Sequence, residues 1–369
     1  MKTPVDTDLG FMHHALLLAQ RATMATAPNP KVGCVLVKDG QVIGEGWTQA
    51  VGQAHAEVQA INEAVLRGHQ TRGATAYVSL EPCSHYGRTP PCVNALVAAG
   101  VVKVFAALED TNPLVAGRGF KLLREAGIEV HTGLLAHEAR ELNLGFFKRM
   151  ETGKPWVRMK IAASLDGITA LQNGQSQWIT ESDARQDGHV WRSSANAILT
   201  GSGTVLADDP QMNVRGVEAF GLFPQPTKIV LDSQLTISPK AKILQGGALI
   251  MFAQADQAKQ RALKECGAEL ICLPDSTGRV DLNDALIECG RRQINELHVE
   301  AGAILNGALI EQNHVDELLL YLAPKLLGSG RGMFGLRELK VVSEARELVI
   351  HNIEQIGQTL RILARFKQA

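Results

Sequence analysis

The sequence predicts an α/β protein built of two domains. Three observations lead there. In both halves of the chain, apolar residues repeat alternately with the period of strands and with that of helices, the pattern of layered α/β units. The length, 369 residues, provides for two or three domains at roughly 150 residues each. Near residues 150–155 the pattern is broken by Thr152-Gly153-Lys154-Pro155. The predicted domains are residues 1–150 and 151–369.

In the first domain, Leu9, Met12, Leu16 and Ala19 mark one face of a helix over 9–22. Strands over 32–37 and 42–46 flank Asp39-Gly40, a hairpin turn signal. Val58, Ile61 and Val65 give a helix over 55–66, and Gly68 suits its end. A strand (74–80), a helix (93–99) stopped by Gly100, a strand (101–107), a helix (120–126) stopped by Gly127 and a strand (128–130) follow. The second domain reads strand 157–163, helix 182–193, strands 197–200, 228–231 and 248–252, and helix 256–265. It continues with strand 270–273, helix 282–291, strand 296–300 and helix 304–312, and ends in strands 317–323, 340–344, 347–353 and 359–366.

Composition excludes several classes of function. At 45% hydrophobic and 20% charged, the chain is neither disordered nor collagenous nor a coiled coil. No apolar run reaches the roughly 18 residues of a spanning helix. Residues 1–10 carry Asp6 and Asp8 and lack a basic-then-apolar leader pattern. The expectation is a cytoplasmic protein with no membrane partner. Lys+Arg number 37 and Asp+Glu 38, and the charge is near balance on both sides of the predicted boundary. No basic footprint for nucleic acid exists, so the expected partner is a small molecule. Six cysteines are too few for a disulfide scaffold. Cys34, Cys266, Cys272 and Cys289 lie among apolar residues and read as small buried hydrophobes.

The sharpest chemical signal is His55-Ala56-Glu57, then Glu81-Pro82-Cys83, then Cys92. One imidazole and two thiolates are three ligands for tetrahedral zinc with a fourth position open, as catalytic zinc requires. Zinc lowers the pKa of a bound water from about 15.7 to about 7. Glu57 is not needed as a ligand and is free to move a proton. Residues i and i+2 do not share a helix face, so His55 and Glu57 converge on a metal only if the N-terminal end of their helix points at it. Zinc nucleobase deaminases carry H-x-E…P-C-x-x-C. Here the second Cys comes nine positions after the first, and the loop between them holds His85, Arg88 and Thr89, groups suited to a phosphate. The plain alternative is a closed structural zinc site with His85 as fourth ligand. Asn29-Pro30 before the first strand reads either as a turn or as a side chain that reads a substrate edge.

Signals in the second half are softer. Gly201-Ser202-Gly203-Thr204 and Glu300-Ala301-Gly302 each follow a strand. Each can present backbone N–H groups to a phosphate at the end of an α/β sheet, or can be an ordinary turn. Asp208-Asp209-Pro210 reads as a solvated turn or a ligand-facing carboxylate, and Trp178 as core or as a stacking surface.

Taken together, the motifs identify a family. Asn29-Pro30-Lys31-Val32-Gly33, His55-Ala56-Glu57-Val58, the run from Leu80 to Cys92 and Asn112 to Gly119 belong to it in the first half. Ala163 to Gly167, Ser176 to Thr180, Thr204 to Pro210, Val299 to Gly302 and Ala323 to Gly328 belong to it in the second. Over nearly its full length the chain resembles the bifunctional deaminase/reductases of riboflavin biosynthesis, in which the long Cys83-to-Cys92 spacing is usual. Departures are Thr111, where the family usually has Pro, and Gln59, where His is common. The resemblance implies a cytidine-deaminase-like three-layer domain followed by a dihydrofolate-reductase-like domain. It implies hydrolytic removal of an amine from a diaminopyrimidinone ribosylamino 5′-phosphate at a Zn2+ held by His55, Cys83 and Cys92, with Glu57 shuttling protons. It then implies reduction of the ribosyl group to ribityl by NADPH, with Lys160 as candidate proton donor. Carried over by motif, Ala162, Trp178, Thr204, Asp208, Ser233 and the turn Gly302, Ala303, Ile304, Leu305, Asn306, Gly307, Ala308 face the cofactor. Asn29, His85, Arg88, Thr89, Ser176, Arg192, Met212, Arg215 and Glu300 face substrate, with Arg192 and Arg215 as a phosphate clamp. The resemblance also implies a homo-oligomer. The rival expectation is a zinc deaminase of another base whose second half has no catalytic role.

Overall fold

The structure is a computed structural model, and it describes residues 7–86, 90–113, 115–217 and 225–367. The chain forms two units, Met1–Gly153 and Lys154–Ala369.

The first unit is a five-stranded sheet between helices. Its elements in order are α1 (Asp8–Gln20), β1 (Gly33–Lys38), β2 (Gln41–Trp47), α2 (Ala56–Leu66), β3 (Thr75–Val78), α3 (Cys92–Ala98), β4 (Lys103–Ala106), α4 (Arg118–Glu125), β5 (Glu129–Thr132), α5 (Ala136–Glu141) and α6 (Leu144–Thr152). The sheet order is β2-β1-β3-β4-β5. Asp39 and Gly40 both take positive φ in the turn between β1 and β2, as the Asp-Gly signal predicts. Side chains alternate along β1: Val35 and Val37 pack with Phe11, Met12 and Ala15 of α1, whereas Cys34 and Leu36 pack with Ala56, Ala60 and Ala64 of α2 and Leu96 of α3. These are the three layers that the family resemblance implies.

The position of α2 depends on two glycines of β2. A Cβ at Gly44 would lie 2.2 Å from the Ala60 carbonyl oxygen, and one at Gly46 would lie 2.2 Å from that of Ala56. Ala56 stands between His55 and Glu57, so this contact sets the helix end that carries both. We expect Gly46→Ala to cost about 1–3 kcal/mol or more by overpacking and to impair zinc retention and deamination more than reduction. Thermal unfolding, metal content and the two assays check this; a variant with wild-type Tm and zinc content would refute it.

The second unit carries a nine-stranded sheet. It comprises β6 (Trp156–Ser164), β7 (Ile168–Leu171), α7 (Ser182–Ser193), β8 (Ala197–Gly201), α8 (Ser202–Asp208), β9 (Thr227–Leu231), β10 (Ala248–Phe252), α9 (Gln257–Glu265) and β11 (Ala268–Cys272). After these come α10 (Leu282–Arg291), β12 (Glu296–Val299), α11 (Ala303–Glu311), β13 (Glu317–Ala323), β14 (Gly330–Gly332), β15 (Leu348–Ile356) and β16 (Thr359–Phe366). The sheet order is β11-β10-β9-β8-β12-β6-β13-β16-β15, and β7 pairs separately with β14. Strands from β11 to β13 run parallel, and the last two are antiparallel. Val157, Met159, Ile161 and Ala163 of β6 face the core shared with α10 and α11. On the opposite face Ala162 packs beside Leu319, Tyr321 and Trp191 under α7.

Some expectations need correction. The strand expected over 340–344 is loop with a 3₁₀ turn at Val342–Glu344. The short ribbon of β7 and β14, and helices α5, α6 and α8, escaped the periodicity reading. Cys34 and Cys289 are buried as expected, but Cys266 and Cys272 are exposed. No described helix is long and apolar enough to cross a membrane.

Candidate metal centre and candidate reductase site

Three elements of the first unit bring the metal ligands together. His55 is the N-cap of α2, with extended φ −73° and ψ 170°. Cys83 lies in the segment after β3, and Cys92 opens α3. The His55 Nδ1 atom is 3.6 Å from Cys83 Sγ and 3.4 Å from Cys92 Sγ. Bonds of about 2.3 Å to sulfur and about 2.05 Å to nitrogen at a tetrahedral angle put N and S about 3.6 Å apart. The donor set therefore has the spacing that one zinc ion imposes. Among the described residues no fourth His, Cys, Asp or Glu joins the group.

Electrostatics agree with that use. Cys92 N–H donates to Cys83 Sγ at 3.3 Å. The Cys83 thiol is drawn down to about 4, first by its contact with Cys92 and then, against burial, by His55. Cys92 is pushed up by Cys83 and by burial. One thiolate thus forms readily, and a dication beside both sulfurs supplies what the second needs. Glu57, on the first turn of α2, is 3% exposed. Its carboxyl is pushed up to about 7 by burial and then by the Cys83 thiolate. The helix end points at the cluster, the arrangement that the i, i+2 spacing of His55 and Glu57 requires.

The surroundings contain residues to which sequence reasoning gave no role. The Glu81 carboxylate is buried and accepts N–H bonds from Asp110, Gly117, Gly119 and Phe120 at 3.1, 3.0, 2.8 and 3.3 Å. It thereby caps α4 and ties that segment to the strand end carrying Cys83. Asp110 beside it is pushed up to about 6 by burial. Asn143 holds Lys31 from both sides: Lys31 N–H donates to its Oδ1 at 2.7 Å, and its Nδ2 donates to the Lys31 carbonyl at 2.8 Å. Arg149 reaches the Pro28 carbonyl at 3.2 Å. The turn with half-buried Asn29 is thus fixed from α6 and its N-cap. His85 Nδ1 is buried without a protein partner. Arg88 and Thr89 lie outside the described residues.

In the second unit, β8 and β12 are parallel neighbours, and each runs at its C-terminal end into a helix. The first-turn N–H groups of α8 and α11 have no acceptor within their helices. Gly203 and Gly302 have ordinary φ, and a Cβ on either would meet nothing within 4 Å. Neither conformation nor packing asks for glycine there, and the backbone at both is open. Ile304 is 80% exposed on the first turn of α11, and Trp178 is 64% exposed with Arg185 4.4 Å from its ring centre. Such a platform of N–H groups and apolar surface fits a dinucleotide. Thr204 is half-buried on α8, and Asp208 is exposed at its end. Asn306 and Gly307 turn inward instead, with Asn306 Nδ2 donating to the Ala301 and Met333 carbonyls at 3.2 Å. Ser233 Oγ accepts the Val280 N–H at 3.1 Å.

Beside this platform the sheet gathers a charged cluster. Glu300 accepts a bidentate pair from Arg192, from Nε and from Nη2 at 2.9 Å. Lys160 Nζ lies 3.6 Å from Glu300 Oε2. Burial opposes the charge on Glu300, but Arg192 and Lys160 outweigh it and hold the carboxyl well below the usual range. Arg192 Nη1 also donates to the Asn213 carbonyl at 3.1 Å. Arg192 thus comes with most of its donors committed, which weakens its half of the expected phosphate clamp. Arg215 donates through Nη1 to Gln211 and Asn213 at 3.2 and 2.5 Å. Its backbone N–H reaches His189 Nδ1 at 3.2 Å. Burial, then Arg192 and Arg215, pull His189 down to about 4, so it is neutral. Met212, expected to face substrate, has its side chain buried in the core. Ser176 and Ala162 are half-buried.

A His/Cys/Cys group with the spacing of a zinc site beside a buried carboxylate, and two helix N-termini on a parallel sheet beside a Lys–Glu–Arg cluster, fit a two-domain deaminase and reductase. The family models agree: residues 5–108 match the cytidine and deoxycytidylate deaminase zinc-binding region, and residues 155–362 the RibD C-terminal domain. The riboflavin biosynthesis protein RibD of Escherichia coli is 48% identical over 94% of this chain and 96% of its own. The solved RibD of Acinetobacter baumannii is 42% identical, with TM-score 0.90 over 98% of this chain and 99% of that one. The diaminohydroxyphosphoribosylaminopyrimidine deaminase/5-amino-6-(5-phosphoribosylamino)uracil reductase of Thermotoga maritima gives TM-score 0.85 at 30% identity, over 98% of this chain and 99% of that one. The chain belongs to the RibD family of bifunctional riboflavin biosynthesis enzymes, whose cofactors are zinc and NADPH. A deaminase with a non-catalytic second half is not favoured, since that half matches the RibD C-terminal domain along most of its length.

Proposed function

We propose that this chain deaminates a diaminopyrimidinone ribosylamino 5′-phosphate in its first domain and reduces the ribosyl group of the product to ribityl in its second. The observation that carries the first half is the buried Glu57 on the helix turn whose N-cap, His55, stands 3.4 and 3.6 Å from two sulfurs. Zinc held by His55, Cys83 and Cys92 supplies Lewis acidity and lowers the pKa of water to about 7. The Glu57 carboxylate takes a proton at its oxygen and returns it to the departing amine, which leaves as ammonia. Asn29, fixed by Asn143 and Arg149, orients the pyrimidine edge, and His85 with Arg88 and Thr89 holds the phosphate.

NADPH bound in the second domain would supply the hydride that reduces C1′ of the ring-opened sugar. The N–H groups at Gly203–Thr204 and Gly302–Leu305 hold its phosphates, and Trp178 and Ile304 cover its apolar parts. Lys160 Nζ gives a proton to the nitrogen at C1′ as that carbon is reduced. Glu300, 3.6 Å from Nζ, keeps the Lys160 ammonium in place, and Arg215, with Nη2 uncommitted, reaches the phosphate. Incubation with the diaminopyrimidinone phosphate, with and without NADPH, tests both halves: ammonia release without NADPH and oxidation of NADPH afterwards are expected. Ammonia from free cytidine instead, or no NADPH binding at millimolar cofactor, would reject the reading.

Assembly with a second copy and action in the cytoplasm belong to the same proposal. The edge strand β15 supports the former: Leu348, Val349, Ile350 and Ile353 are 41–57% exposed along it, and it lacks the lysines that usually guard a free edge. Ile350→Lys with Ile353→Lys is expected to lower the mass seen by sedimentation to that of one chain; a wild-type mass above one chain that the pair leaves unchanged would place the interface elsewhere.

A further inference from the structure

The strand that delivers Glu300 carries a second group that the reaction described above leaves unused. Along β12, Leu297 and Val299 point into the core, while Glu296, His298 and Glu300 share the opposite face by the alternation of a strand. His298 registers against Arg158 of β6 and Ile198 of β8, at the middle of the sheet. Its side chain is 0% exposed. Charged groups near it on this face are paired: Arg158 with Glu317 at 2.5 Å, and Glu300 with Arg192. His298 is not. Neither ring nitrogen makes a hydrogen bond within the protein.

An unsatisfied imidazole at full burial is costly, and an apolar side chain would fill the same space without that cost. One contact gives the ring a use. Nε2 lies 3.4 Å from Glu300 Oε1, just beyond the usual N–H···O range of about 2.7–3.2 Å. Burial keeps the ring neutral. With no acceptor at Nδ1, the proton of the neutral ring belongs on Nε2, facing the carboxylate. Catalytic hydrogen bonds are often long in the free enzyme and tighten when substrate binds.

We propose that His298 is a positioning residue of the reductase: its Nε2–H holds Glu300 Oε1 from below, so that Oε2 stays turned toward Lys160. This rests on the reading that Lys160 and Glu300 serve reduction. Arg192 grips both carboxylate oxygens from α7, and Lys160 approaches Oε2 from β6. Without His298, Oε1 keeps only Arg192. The carboxylate is then held by the Arg192 fork alone, which permits rocking about the axis joining the two groups, and Lys160 Nζ loses a partner fixed from a second side.

The experiment compares His298→Leu, His298→Gln and Glu300→Gln in the full chain, loaded with zinc, measuring both activities of each. His298→Leu is expected to lower the reductase kcat at least 10-fold, with KM for NADPH within 2-fold and deamination unchanged. His298→Gln, whose amide offers a donor near the same place, is expected to recover most of the loss. The deaminase rate and the Tm report whether a variant is folded. A reductase kcat within 2-fold of wild type in His298→Leu would overturn the proposal, and so would equal losses in the Leu and Gln variants. If instead Glu300→Gln reduces substrate normally, it is the underlying assignment of Glu300 that fails.

Discussion

Glu57→Gln is expected to abolish deamination, by about 10²–10⁴-fold or more, while zinc content stays near one per chain and NADPH-dependent reduction of supplied deaminated substrate is unaffected. The argument is geometric before it is electrostatic. Glu57 is no part of the group formed by His55, Cys83 and Cys92, so replacing it leaves every ligand in place. Its amide isostere fits the same buried space but neither accepts nor returns a proton. A second consequence concerns stability. Without metal, the Glu57 carboxyl titrates at about 7 in the folded chain, against an ordinary value of 4.5. Between those values the folded state holds a proton that the unfolded state has lost. Stability of the metal-free first domain therefore falls as pH rises from about 4.5 to 7, and Glu57→Gln removes that slope. Unfolding in chelator at pH 5 and pH 7.5 measures it. Near-normal turnover in Glu57→Gln would end the proton-shuttle assignment; an unchanged pH slope would end the account of its burial.

The grouping of His55, Cys83 and Cys92 was legible in the sequence because residue type and local order carry the information. A helix N-cap, a Pro-Cys and a Cys opening a helix are each local features, and few other uses require them together. The same holds for the hairpin at Asp39-Gly40 and for most of the parallel strands, whose continuous apolar runs are hard to mistake. What failed was whatever depends on distant partners. Glu81 stands inside a motif yet reveals no role there, because the N–H groups it binds lie 29 to 39 residues further on. The pairing of Arg192 with Glu300 spans 108 residues, and no local pattern announces it. At 340–344, Val341 and Val342 suggest a strand, but propensity without a neighbouring strand makes no ladder; these residues are 55% and 90% exposed. The β7–β14 ribbon was invisible for the opposite reason, since Gly330-Arg331-Gly332 has no apolar side chain to report it.

Arg192→Ala carries the largest expected effect in the second domain, on stability as well as on rate. Glu300 is 12% exposed at its side chain, and Arg192 is its closest cation. Removing one member of such a pair leaves a buried charge with too little compensation, a loss of about 3–5 kcal/mol or roughly 10 °C in Tm for a unit of this size. The sign of the pH dependence should reverse with it. In the native chain the Glu300 carboxyl lies well below 4.5, because Arg192 and Lys160 overcome burial. It contributes stability above that value, which is lost as pH falls through the folded titration. With Arg192 gone, burial prevails and the carboxyl rises above its unfolded value. The variant's deficit relative to native protein should then be larger at pH 8 than at pH 5. The double variant Arg192→Met, Glu300→Leu separates structure from chemistry. Replacing both members by apolar groups removes the stranded charge, so most of the Tm should return. Reduction should not return, since Lys160 has lost the carboxylate that holds it. A double variant that regains both stability and reductase activity would show that the cluster serves the fold alone.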